Sequence, residues 1–374
     1  MGKGIGSREL RIAFIGAGAA NFGGGEGPWD HASRLEQIPG LRVVGVADPD
    51  LFRAMAQLRR RRGPMYARAQ AYLDAVTMLD DLCPDAVWIA VPPKAHGTTK
   101  AGEDLEVQCA ARGIHFFLEK PLAAARPGEV RRVAAALAKS AVISSVGYMF
   151  RYSRAIERMK QILDATPGGG KVFVGQYDCA YSEIRKAEWW DVRGIGSPVV
   201  EQATHFVDLA RFLMGDVDLK TVRAVSIPGS SPAGELRDAP KARDGRRMDR
   251  FAPRRFRPPR ATAAVWTFRS GAVGSLTHAT LLHREKYDTQ LEVWGDGLRM
   301  ALADPYGRPK LLVRRPHSEA TKEIVLAVDD PYLSEDRAFV AAVRRGDASG
   351  IRSSYADALK TFELTWAITD AARR

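Results

Sequence analysis

Four short apolar runs set at helical distances from one another constrain this chain more than any other feature. LRIAFI (10–15), LRVVGVA (41–47), DAVWIAV (85–91) and IHFFL (114–118) are almost wholly apolar and too short for buried helices. Each reads as a strand buried on both faces, as parallel strands are. Helical patterns at 28–38, 50–62, 69–82 and 100–112 separate them. The third of these rests on Leu73, Val76, Leu79 and Leu82. A helix over 127–139 and a strand over 141–147 complete the series. Such alternation implies right-handed crossovers and a doubly wound α/β domain of the nucleotide-binding type over residues 1–150.

The chain has 374 residues, too many for one ordinary core, so a second domain is expected over 151–374. Its pattern differs. A helix at 153–164 leads to Gly168-Gly169-Gly170. Strand-like runs then follow at 171–180, 221–227, 261–269, 272–281, 287–294 and 310–315. Several alternate apolar with polar residues, as half-buried antiparallel strands do. Helices are expected at 198–214, 334–345 and 353–372, giving an α+β domain.

Composition excludes some functions. Hydrophobic residues make up 45% and charged residues 27% of the chain, an ordinary globular balance. No apolar run approaches the ~18 residues of a membrane span. The first residues, MGKGIGSREL, lack an apolar core and read as a short leader, not a secretory signal. Cys83, Cys109 and Cys179 form no CxxC, which fits a reducing cytoplasm and neither a disulfide framework nor a zinc site. The net charge of +12 is concentrated in one place: 241–260 holds nine basic and two acidic residues. No nucleic-acid motif accompanies it, so no nucleic-acid or membrane partner is expected. The Pro- and Arg-rich stretch 229–260 reads as an exposed insertion without a core of its own, poorly ordered or lying over the sheet domain.

The first motif with chemistry is GAGAAN, directly after the first strand. Gly16 permits a tight turn, and Gly18 lets backbone approach a pyrophosphate, with Ala19 and Asn21 completing the loop. Asn21 replaces the usual third glycine, and GGGEG then lengthens the loop. Asp48 ends the second strand. It is placed either to accept hydrogen bonds from the two adenosine ribose hydroxyls or to cap the helix that follows. Pro92, Pro93 and His96 follow the third strand, and Glu119-Lys120-Pro121 the fourth. All four strand ends fall on one edge of the sheet, where ligands bind in such folds.

These residues resemble the Gfo/Idh/MocA oxidoreductases, the glucose-fructose oxidoreductase and inositol dehydrogenase type. The resemblance rests on Gly16-x-Gly18, Asp48, Pro93 to His96 and, above all, Glu119-Lys120-Pro121. It extends through Tyr148-Met149-Phe150-Arg151-Tyr152 and Glu201-Gln202-Ala203-Thr204-His205-Phe206-Val207-Asp208. It implies a Rossmann domain followed by an α+β domain with a large open, mostly antiparallel sheet, and oligomers, dimers or tetramers, built through that sheet. It implies NAD, or NADP, as hydride carrier and a sugar, cyclitol or sugar derivative as substrate. The alternatives are a sugar-nucleotide or antibiotic-sugar ketoreductase and a non-catalytic cofactor-binding protein.

The expected site follows from that resemblance. The cofactor set is Gly16, Gly18, Ala19, Asn21, Asp48, Pro92, Pro93, His96, Glu119 and Lys120. Lys120 would hydrogen-bond the reacting oxygen and stabilise developing alkoxide, although a surface Glu-Lys pair is the plainer reading of that dipeptide. His205 would move the substrate proton, with Glu201 and Asp208 placed on its helix face. The same trio reads as packing, or as metal ligands, which the resemblance disfavours. Glu201 departs from the inositol dehydrogenase pattern, which has Asp there. Arg151, Tyr152, Trp189, Trp190 and Arg193 stand as sugar contacts or as core.

Overall fold

The structure is a computed structural model describing residues 8–25, 29–61, 63–284 and 286–373. The leader and the middle of the Gly-rich stretch, Glu26 to Pro28, lie outside the described residues. The chain divides into two compact units. The first comprises the described residues up to Tyr152 together with Asp330–Leu359, and the second Ser153–Asp329 with the residues from Lys360 onward. The sequence reading drew one boundary, at residue 150. In the structure the chain returns to the first unit through a late segment.

The first unit holds six parallel strands: β1 (Leu10–Ile15), β2 (Leu41–Ala47), β3 (Gln70–Tyr72), β4 (Ala86–Ile89), β5 (His115–Leu118) and β6 (Ser144–Val146). Their order is β3-β2-β1-β4-β5-β6, a Rossmann topology. β4 is buried throughout and β1 nearly so, as strands covered on both faces must be. The expected helix at 69–82 is two elements. Residues 70–72 pair with β2 as β3, and the helix begins at Ala75, capped by the Asp74 side chain. Leu73, the first of the four residues at helical spacing, is 59% exposed in the turn between them.

The second unit holds an eight-stranded sheet: β7 (Gly170–Ala180), β8 (Val217–Ile227), β9 (Ala261–Phe268), β10 (Val273–Leu282), β11 (Tyr287–Gly295), β12 (Arg299–Ala303), β13 (Lys310–Arg314) and β14 (Thr321–Ile324). The order is β14-β13-β12-β11-β7-β10-β9-β8, antiparallel except where β10 runs parallel to β7. Strands β12 and β14 had no counterpart in the sequence reading. Burial alternates strictly along β12 and β13, so one face is covered and the other open.

The stretch 229–260 departs from expectation. Leu236, Ala239 and Met248 pack with Tyr181, Trp189, Trp190 and Ile195 into a separate apolar cluster. Arg260 is buried, donates to the Gly234 carbonyl at 3.0 Å and lies over the Trp190 ring. The few apolar residues among the arginines pack against two large tryptophan side chains.

Candidate active site

The carboxyl ends of β1, β2, β4 and β5 carry the first group of residues. Gly16 has φ +95°, and a Cβ there would lie 2.3 Å from the Ala90 carbonyl oxygen, so the turn admits no other residue. A Cβ on Gly18 would meet nothing within 4 Å. The fold therefore demands glycine at 16 but not at 18. Ala19 opens a single helical turn, Ala19–Phe22. Asn21 is fully buried and donates to the Gly16 carbonyl at 2.7 Å. It braces the loop from within and is not presented at its surface.

Asp48 is 4% exposed. Its Oδ2 accepts from the Ala17 backbone N–H and its Oδ1 from that of Asp50, each at 2.8 Å. The helix cap is Asp50, which accepts from Arg53 N–H, so the capping reading of Asp48 fails. Asp48 ties the Gly-rich loop to the end of β2 and retains lone pairs for further donors. Arg53 approaches it at 3.5 Å.

Pro92 and Pro93 start a short 3-10 turn after β4. His96 is buried, with Nδ1 3.0 Å from Glu106 Oε1, and Glu106 Oε2 also accepts from the Gly97 N–H. A buried carboxylate thus fixes the ring. Glu119 follows β5. Its Oε1 lies 2.9 Å from His31 Nε2, and its Oε2 accepts from the Lys120 N–H at 3.2 Å. The Lys120–Pro121 peptide is cis. Behind His31, Asp336 accepts from both His31 Nδ1 and Trp88 Nε1.

Arg151 and Tyr152 are buried, and both hold the segment 352–357. Arg151 is 3% exposed, bonds the Arg352 carbonyl and pairs with Asp357 at 2.6 Å. The Tyr152 hydroxyl accepts from the Arg352 N–H at 2.9 Å. They are framework residues, and so is the fully buried Trp190, which donates to the Ile184 carbonyl. Trp189 packs edge-on to it at 5.1 Å. Arg193 is exposed, pairs with Asp191 and covers Phe256.

In the second unit the expected helix 198–214 is broken. One turn, Pro198–Glu201, is capped by Ser197, and a second helix runs Thr204–Met214. The N–H groups of Gln202 and Ala203 both donate to the Pro198 carbonyl, at 2.9 and 3.2 Å, which widens the turn. The Gln202 side chain pins the break, its Oε1 meeting His278 Nε2 at 3.1 Å and Cys179 Sγ at 3.3 Å. Burial pushes His278 down to about 3, so the ring is neutral and its Nε2–H donates. Glu201 therefore ends one helix while His205 begins the next, and the shared-face argument for Glu201 loses its premise. Asp208 does share the helix of His205. It is 1% exposed and accepts from the Thr361 hydroxyl at 2.8 Å, so it anchors the helix.

His205 is 7% exposed, its ring nearly perpendicular to that of Tyr306 at 6.2 Å. Tyr306 stacks on Tyr287 at 4.9 Å, and Tyr177 lies edge-on to Tyr306 at 6.0 Å. Burial raises the Tyr177 phenol well above its ordinary value. Sequence reasoning missed this tyrosine group, which comes from β7, β11 and a turn. It also missed His31, Asp336 and Glu106. One signal was present: Asp336 falls on the apolar stripe formed by Leu333, Val340 and Val343. Among the described residues, no group of three His, Cys, Asp or Glu side chains is placed to hold a metal ion.

Two family models match the chain. One, described as an oxidoreductase family with an NAD-binding Rossmann fold, covers residues 10–148, and an oxidoreductase C-terminal domain covers 151–298. The chain is 37% identical to the uncharacterized protein UNK4.17 of Schizosaccharomyces pombe, over 97% of this chain and 91% of that one. It is 25% identical to an inositol 2-dehydrogenase of Streptomyces avermitilis, over 92% and 87%. Among solved structures, levoglucosan dehydrogenase in complex with NADH and L-sorbose superposes with a TM-score of 0.78 at 19% identity, covering 97% of both chains.

Proposed function

The chain belongs to the Gfo/Idh/MocA family of NAD-binding oxidoreductases, and from that premise we propose that it moves a hydride between a nicotinamide cofactor and a carbinol or keto carbon of a sugar or cyclitol. One observation carries the reading. The Gly16–Gly18 loop, Asp48 and Glu119-Lys120 all sit at carboxyl ends of strands in one parallel sheet, at its ligand-binding edge.

The residues present fit the cofactor. Gly18 leaves the loop backbone open to close approach, and Asp48 offers a carboxylate at the end of β2. Gly16, Gly18 and Ala19 would hold the pyrophosphate, and Asp48 the adenosine ribose. Pro92, Pro93 and Glu119 complete that edge. When bound, the nicotinamide supplies the hydride acceptor or donor. Lys120 donates a hydrogen bond to the reacting oxygen and stabilises the charge that develops on it. His205 exchanges the proton with the substrate hydroxyl, and Glu201 contacts the sugar. The Tyr306–Tyr287 stack beside His205 offers aromatic surface for the C–H face of a polyhydroxylated ring. The inositol and levoglucosan dehydrogenases named above support that substrate class.

Oligomer formation falls to the open face of the second sheet, where Val225, Val265, Val273 and Trp294 are exposed. A monomer mass by light scattering would refute this.

The test is an absorbance assay of NADH formation or loss across inositols, anhydrosugars, aldoses, keto-sugars and nucleoside diphosphate sugars. Turnover with a polyhydroxylated compound supports the reading. Tight NADH binding with no turnover on any of these compounds would overturn it in favour of a non-catalytic protein.

A further inference from the structure

We propose that His31 and Asp336 are positioning residues for Lys120, acting through the Glu119 carboxylate. This rests on the role given to Lys120 above. The contacts form one chain within the first unit. Trp88 Nε1 and His31 Nδ1 both donate to Asp336 Oδ1, at 2.8 and 2.9 Å. His31 Nε2 donates to Glu119 Oε1 at 2.9 Å, and Glu119 Oε2 accepts from the Lys120 N–H. The Glu119 carboxylate is closed on a third side by Gly147, where a Cβ would lie 3.0 Å from Oε2. Its side chain is only 14% exposed. The peptide that carries the Lys120 side chain is therefore held from inside the core.

Charge explains why a histidine stands at this place. Two carboxylates flank it, and a third, Glu335, lies close by with Arg34. Burial disfavours the charged ring, yet Asp336 and then Glu119 raise the His31 pKa well above the ordinary value. A cation between Asp336 and Glu119 pairs with both carboxylates, so the acceptor of the Lys120 N–H is held in place. His31 itself is held by the start of its helix, where Asp30 caps Ser33, and by the edge of Phe117 at 4.8 Å. His31, Glu119 and Asp336 come from three distant parts of the chain; His31 and Asp336 are separated by 305 positions.

The test compares His31→Ala, His31→Gln and Asp336→Asn with Leu79→Ala, a buried-core variant of the same unit used as a stability control. A small displacement of a reacting group lowers turnover by up to ~10²-fold. His31→Ala should show a loss of that order in kcat, with KM and NADH affinity changed little. The glutamine variant should recover part of it, because an amide still donates to Glu119. The second readout needs no substrate. Acylation of Lys120 by a water-soluble reagent, followed by peptide mass spectrometry, should change several-fold in the His31 and Asp336 variants while that of exposed Lys100 does not. A kcat loss no larger than in Leu79→Ala, or an unaltered Lys120 acylation rate, overturns the proposal. If the parent protein turns over no substrate but Lys120 acylation still depends on His31, the functional reading fails and the positioning stands. Should His31→Ala not fold, the near-isosteric Asp336→Asn carries both readouts.

Discussion

Replacing Glu335 by glutamine should stabilise the protein increasingly as pH rises. Glu335 is fully buried on the helix Pro331–Arg345, and neither carboxyl oxygen has a hydrogen-bond partner among the described residues. Burial, and then the charges of Glu119 and Asp336, raise its pKa well above the usual carboxylate range, while His31 and Arg34 pull the other way. The sign follows from linkage. A carboxyl whose folded pKa is raised contributes fully below its unfolded value, about 4.3, and loses that contribution as pH rises toward the folded value. Over that window each pH unit removes about 1.4 kcal/mol from the parent. Glutamine has no proton to lose, and it replaces a neutral buried acid by a neutral buried amide of the same shape. The two proteins should therefore be about equally stable near pH 4, with the variant's advantage growing as pH rises above that. Urea unfolding at several pH values, read as a shift of midpoint at constant slope, measures the difference. A difference that stays flat across the range would show that Glu335 is ionised or solvated in the folded protein.

Three further outcomes are expected. NADH should bind more tightly than NADPH by calorimetry, because the buried Asp48 carboxylate repels a 2′-phosphate more than Arg53 attracts it; equal or tighter NADPH binding would remove Asp48 from the ribose. Gly16→Ala should destabilise the first unit by a few kcal/mol, since it adds a Cβ 2.3 Å from a carbonyl oxygen at φ +95°; a melting temperature equal to the parent's contradicts that geometry. Leu236→Ala should lower stability by about 2–3 kcal/mol in urea, as truncation of a buried leucine does, and a neutral effect would return 229–260 to the status of a passive loop.

The legible parts of the fold were those whose sequence meets one physical demand. β1 and β2 were read to the residue because burial on both faces makes them continuous apolar runs. β3 was hidden because Leu73 continues the spacing of Val76 and Leu79 although it lies outside the helix. β14 escaped because it is largely exposed and polar at its start. The helix 198–214 read as continuous because nothing local marks Gln202 as a break. The break is made by His278 and Cys179 from two strands of the sheet. Motif residues at strand ends were legible for a related reason, since glycine and charge at the end of an apolar run have few other uses. The contacts of Trp88, His31 and Asp336 behind Glu119 were not, because those three residues share no local pattern. Arg151, Tyr152 and Trp190 could not be assigned to contact or core because residue type alone does not report which face a side chain takes.

The most direct test of the central claim is a single-turnover measurement of NADH absorbance with parent and Lys120→Met, each saturated with cofactor and with the substrate found by screening. Lys120 contributes where charge develops on the reacting oxygen, so its loss should lower the hydride-transfer rate by ~10²–10³-fold. NADH affinity, measured separately, should change only a few-fold. A Lys120→Met protein that transfers hydride at the parent's rate would contradict the account.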